Sequence, residues 1–323
     1  MDFHGLIDNI TNPALLFFIL GILAVQFKSD LMIPENSSKF ISVYLLMSIG
    51  FKGGQELSHS NLNLEIFNSL LLGIFMAILV PLVSFFVLKR KFSTQNAGAI
   101  AAAYGSVSAV TFVTAISFLE MENAPFDGHM VAVMAAMEAP AIIVGVLMIN
   151  RFQKSSSVNT EPIGKSIIHS FTNGSVLLIL GSLLIGFLAN EKQAQGIEPF
   201  TTDIFKGFLA VFLLDKGIST GKQLSIILQR GIYPFLFASL MPFLAGFIAL
   251  AISTLITDSL GNRLLFAILA ASASYIAVPA AMKTAAPKAH SSLYLGMALG
   301  ITFPINVIIG IPIYFTILEK ISH

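Results

Sequence analysis

Apolar runs long enough to cross a bilayer follow one another along almost the whole chain, and this constrains the fold more than any motif does. A spanning helix needs roughly 20 mostly apolar residues. Polar residues and Gly/Pro breaks divide the runs into ten spans, at 13–27, 40–51, 66–88, 97–118, 129–150, 172–189, 204–215, 232–256, 263–282 and 292–318, the second and seventh being short. Of 323 residues, 55% are hydrophobic and 11% charged, against about 25% charged in a soluble domain. The expected fold is an all-α polytopic protein embedded in the lipid bilayer. The first span lacks a basic leader and a small-residue cleavage site, and reads as a retained helix.

Several function classes fall away. The chain has no cysteine, which removes disulfides, thiolate metal sites and cysteine nucleophiles. It carries no H-E-x-x-H, G-x-S-x-G or Walker A motif, so neither an enzyme nor a cofactor is expected. A net charge of +1 gives no reason to expect nucleic acid. The six histidines fall in loops or near the termini without a pair at helical spacing, which argues against any metal site other than one for sodium.

The loops carry a second signal. An N-terminus outside places Lys28, Lys39, Lys89, Arg90, Lys91, Arg151 and most other basic residues on the cytoplasmic side. Only Lys52, Lys192, Lys206, Arg263 and Lys320 are left opposite. The positive-inside rule thus favours ten spans in the inner (plasma) membrane, with both termini outside. For Lys52, Asp215 and Lys216, at the ends of the short spans, snorkelling to the interface is at least as good an explanation as a role in transport.

The chain also repeats itself. TNPALLFFILGILAVQF at 11–27 resembles TNGSVLLILGSLLIGF at 172–187, and GFKGGQELS at 50–58 resembles GISTGKQLS at 217–225. AAAYGSVSAV at 101–110 lies over ILAASASYIA at 268–277, and EAPAIIVG at 138–145 over TFPINVII at 302–309. The halves run 1–155 and 171–323, five spans each, joined by a polar cytoplasmic linker at 156–170. An odd number of spans per half forces opposite orientations. Inverted repeats of this kind mark secondary transporters, with substrate held near the midplane at broken helices.

The repeated polar clusters, YGSVSAVTFVT in the fourth span and ASASYIAVPAA in the ninth, are where the breaks are expected, with Gly105 and Pro279 as their markers. Unpaired backbone at membrane depth is tolerated only inside protein or against a water-filled cavity. Two crossed breaks would aim two half-helix N-termini at one point and hold an anion without a basic side chain. Hydroxyls of Ser106, Ser108, Ser272 and Ser274 would add hydrogen bonds. Glu138, an intramembrane carboxylate in the fifth span, points to a sodium or proton site, and its repeat equivalents Thr302 and Asn306 also bear oxygen.

These residues resemble the sodium-dependent bicarbonate transporter family, whose fold is related to the bile-acid sodium symporters. The likeness is carried by YLLMSIGFKGG (44–54), AAAYGSVSAVTFVTA (101–115), EAPAIIVGVLMI (138–149) and YLGMALGITFPINVIIGIPIYF (294–315). The resemblance implies a core domain and a separate gate domain, assembled as a homotrimer, with bicarbonate at the crossing of the fourth and ninth helices and sodium beside it. By position, Gly105, Ser106, Ser108, Ser272, Ala273 and Ser274 then fall to the substrate, and Thr111, Glu138, Thr302 and Asn306 to sodium as the coupling ion. The family's second motif is richer in Ser and is followed by an Asp, where this chain has Tyr275. The short linker argues against docking of a PII-like regulator. The leading expectation is sodium-coupled symport of bicarbonate or another small anion. An organic-anion symporter of the bile-acid type and a non-transporting membrane anion sensor stay open.

Overall fold

The computed structural model describes residues 13–59, 63–153 and 174–322, and the regular structure of these residues is helical throughout. The expected linker at 156–170 lies outside the described residues. The first half holds α1 (Pro13–Gln26), α2 (Glu35–His59), α3 (Leu64–Leu88), an interrupted rod made of α4 (Thr94–Gly105) and α5 (Ala109–Met121), and α6 (His129–Phe152). The second holds α7 (Gly174–Leu188), a short α8 (Glu191–Glu198), α9 (Phe205–Leu228), α10 (Ile232–Ser253) and an interrupted rod made of α11 (Leu260–Ala271) and α12 (Ala277–Ala285). A last rod runs from α13 (Ser291–Met297) to α14 (Ile311–Ser322). With each interrupted rod counted once and α8 set aside, the described residues form ten rods at the ten hydrophobic runs. Five of these, namely α3, the α4–α5 rod, α6, α10 and the last rod, are by themselves long and apolar enough to cross a membrane.

The second and seventh rods differ from expectation. They are not short: α2 has 25 residues and α9 has 24. Each continues past its apolar stretch because its polar residues find partners on neighbouring helices. Gln55 donates to the Ala189 carbonyl at 2.7 Å, and Thr220 to the Leu299 carbonyl at 2.9 Å. Nor do the charged residues snorkel alone. Asp215 accepts from Ser38 at 2.6 Å and from Lys216 at 2.8 Å, and Lys52 pairs with Glu120 at 3.1 Å. A polar side chain costs little inside a helix bundle once it is hydrogen-bonded there.

Exposure separates lipid-facing from central rods. α1 exposes Leu16, Phe17, Leu20 and Leu23, and α10 exposes Leu236, Leu240, Leu244 and Phe247, stripes at helical spacing suited to lipid. By contrast, every residue of α11 from Gly261 to Ala271 is buried, as is α4 from Ala97 to Gly105. The interrupted rods therefore lie at the centre. α1 packs on α9 and α2 on α7, while α3 packs on α4 and α6, and α10 on α11. Glycines set the closest of these approaches. A Cβ at Gly50 would come 2.8 Å from the Ile179 carbonyl oxygen on α7, and one at Gly217 would overlap the Phe18 carbonyl on α1. Small residues let helix backbones touch where lipid gives no hydrophobic drive for association.

Candidate ion-binding site

Both interrupted rods start in the same way. The Ser93 hydroxyl caps α4 by accepting from the Asn96 N–H at 3.3 Å, and Ser259 caps α11 by accepting from the Asn262 N–H at 3.3 Å. Each Asn then reaches the loop that leaves the other rod. Asn96 Oδ1 accepts from the His290 N–H at 2.8 Å, and Asn262 Oδ1 accepts from the Asp127 N–H at 2.8 Å. Asn262 Nδ2 also donates to the Asp127 carboxylate. The head of each rod is thus fastened beside the tail of the other, so the two run antiparallel. The sequence reading passed over these four residues, although STQN at 93–96 and SLGN at 259–262 share the Ser-x-x-Asn spacing.

The interruptions meet midway. Ser108 N–H donates to Ser272 Oγ at 2.9 Å, and Ser274 N–H donates to the Ala103 carbonyl at 2.8 Å. Backbone groups freed by one break are therefore satisfied by the other, as buried backbone requires. The expected markers act differently from the sequence reading. Gly105 is the last residue of α4, and a Cβ there would run into the ring of Pro81 on α3, so glycine is required by contact and not by backbone twist. The second break occupies 272–276, and Pro279 stands in the first turn of α12, where a missing N–H forfeits no helical bond.

The expected anion residues divide into two kinds. Ser272 is committed: its hydroxyl donates to the Leu269 carbonyl at 2.9 Å while accepting from Ser108. Ser108 Oγ caps α5 by accepting from the Thr111 N–H at 3.2 Å, which leaves its own proton to donate. Ser106 Oγ is fully buried with no hydrogen-bond partner among the described residues. Ala273 and Ser274 are buried in the second break, and no side chain caps the α12 N-terminus that follows. Those two helix starts, of α5 and α12, present N–H groups that lack intrahelical partners.

The expected sodium residues do not share one pocket. Glu138 lines a cavity of about 30 Å³ with Ser108, Ser274, Tyr275, Met134 and Leu46. Tyr275, at the position where the resembled family has an Asp, thus faces the same small space as the carboxylate of α6. Thr302 is taken up elsewhere: its hydroxyl donates to the Ala238 carbonyl at 2.8 Å and accepts from Tyr104 at 2.6 Å. Asn306 donates to the Ala271 carbonyl at 2.7 Å, which closes the end of α11, and its buried Oδ1 has no partner among the described residues. Thr111 Oγ1 is likewise buried and unpartnered among the described residues, on the α5 helix that touches the turn bearing Asn306. Thr302 and Asn306 each belong to a π-helical turn, 298–302 and 306–310, on either side of Pro304. Such turns re-aim side chains and carbonyls and are frequent at functional sites.

What this arrangement can do is bind small ions. It offers hydroxyl and backbone donors at two helix starts, and oxygen acceptors at Glu138, Thr111 and Asn306, all within an apolar shell. No curated protein matches the sequence. A family model does match, over residues 13–319, and by it the chain belongs to the Na+-dependent bicarbonate transporter superfamily, a family of sodium-dependent membrane transporters and not of enzymes.

Proposed function

We propose that this protein is a sodium-coupled symporter of bicarbonate working by alternating access, built from two inverted five-helix repeats. One observation carries the reading: two antiparallel interrupted rods that hydrogen-bond at their breaks, Ser108 to Ser272 and Ser274 to Ala103. The packing supports the repeat. α3 against α4 has its counterpart in α10 against α11, and α1 against α9 in α7 against α2. The aligned glycines Gly50 and Gly217 both sit against a backbone of the opposite half. In this reading α1, α2, α7 and α9 form the gate, and the remaining rods carry the site past it.

The anion takes the α5 and α12 N-termini with Ser106 and Ser108, and the cation takes the Glu138 carboxylate, with the unpartnered oxygens of Thr111 and Asn306 as a separate candidate pair. Charges of opposite sign lower each other's cost of leaving water, and this mutual stabilisation couples the two fluxes. The cavity beside Glu138 has room for one ion-sized occupant, so an anion of four heavy atoms requires the two groups of helices to part. Bicarbonate uptake into proteoliposomes under an imposed sodium gradient tests the proposal. Uptake is expected to depend on sodium, and Glu138→Gln is expected to remove that dependence. Equal wild-type uptake without sodium would rule out coupling, and preference for larger carboxylates would favour the organic-anion reading.

A further inference from the structure

A second cavity, of about 350 Å³, lies where α5 runs into the 122–128 loop. Water occupies about 30 Å³ per molecule in the liquid, so it holds on the order of ten waters. Its walls include Ile49, Lys52 and Glu56 of α2, Ile116 and Glu120 of α5, and Val131 of α6. The same three helices line the small cavity beside Glu138, through Leu46 of α2, Ala109 of α5 and Met134 of α6. On each helix the lining positions keep to one face: 46, 49, 52 and 56; 109, 116 and 120; 131, 134 and 138. The step from Leu46 to Ile49, or from Val131 to Met134, is three residues, about 4.5 Å of helix axis. On α2 and α6 one apolar turn separates the two sets of lining residues, and on α5 the step from Ala109 to Ile116 is about two turns.

The charges of the larger cavity have a sign. Lys52 on α2 pairs with Glu120 on α5, and Glu56, whose carboxyl pKa is pushed up to about 7 by burial, adds a further carboxylate on the same wall that is negative once deprotonated. Clefts with an excess of one sign concentrate the opposite ion. We propose that this cavity is the vestibule through which the cation reaches Glu138, with Leu46, Ile49, Val131 and Met134 as its closed apolar door. The passage of sodium in particular rests on the symport reading, whereas the route is a matter of access alone.

The chain has no cysteine, so a single introduced thiol reports without background. The test places Ser108→Cys in the full-length protein in membrane vesicles and follows its reaction with a small cationic methanethiosulfonate by mass. Adding Ala124→Trp, at the vestibule wall, is expected to slow that reaction about tenfold, as a narrowed pore would. Glu56→Gln is expected to slow the cationic reagent and leave a neutral one unchanged. Equal rates with and without Ala124→Trp would overturn the route, as would loss of rate with both reagents alike in Glu56→Gln. Glu138→Cys serves as the reporter if Ser108→Cys does not fold. A wild-type protein that takes up no bicarbonate would defeat the symport reading while the labelling rates still decided the route.

Discussion

Two serines, one at each break, show how differently the same side chain is used. Ser272 gives its proton to Leu269 and receives one from Ser108, so it is a strut of the crossing. The Ser106 hydroxyl is equally buried and has no hydrogen-bond partner among the described residues. An unsatisfied buried donor or acceptor costs about 1–3 kcal/mol, which a bound ion would recover. Ser272→Ala strands the Ser108 N–H and is expected to destabilise the protein by about that amount, measured as a lower unfolding midpoint. Ser106→Ala is expected to leave the midpoint unchanged or raise it, and to raise the KM for the anion. The reverse pattern would reassign both residues. Thr302 follows Ser272: its hydroxyl is engaged on both sides, by Tyr104 and Ala238, and is a poor ligand despite its place in the repeat.

Among the helices, the contact of α4 with α3 depends on one missing methyl group. Gly105→Ala places a Cβ in the Pro81 ring, and overpacking of this kind costs about 1–3 kcal/mol. Pro81→Ala removes the obstacle, so the double variant is expected to recover most of the stability lost by Gly105→Ala. Additive losses would mean that Gly105 serves the break itself. The ten rods and the location of both breaks were legible from hydrophobicity and internal repetition, because lipid tolerates few other arrangements. The length of α2 and α9 was not. Lys52, Gln55 and Asp215 look like helix ends until Glu120, Ala189 and Ser38 are brought to them by the fold. The Asn96 and Asn262 ties left only the shared Ser-x-x-Asn spacing as a sign, since a side chain that bonds a loop from the other half leaves no hydrophobic periodicity. At the site, residue types were readable but their availability was not. Whether a hydroxyl is free depends on carbonyls such as Leu269 and Ala238 that only packing supplies.

Across the whole molecule, the two interrupted rods are joined at three places: Asn96 with the His290 loop at one end, Ser108 with Ser272 midway, and Asn262 with the Asp127 loop at the other. Antiparallel members braced at both ends and the middle resist shear, so in the proposed symport cycle the crossing would travel as a rigid piece. Its ligands would then keep the same spacing whichever face of the membrane it met, and its intrinsic affinity would be the same on both sides. A carrier of that kind would have no built-in direction. Vesicles preloaded with labelled bicarbonate and placed under a reversed sodium gradient are expected to empty as readily as the forward gradient fills them, and strictly one-way flux would show that the crossing deforms as it moves. The cell would therefore keep what it gathers only for as long as its sodium gradient holds.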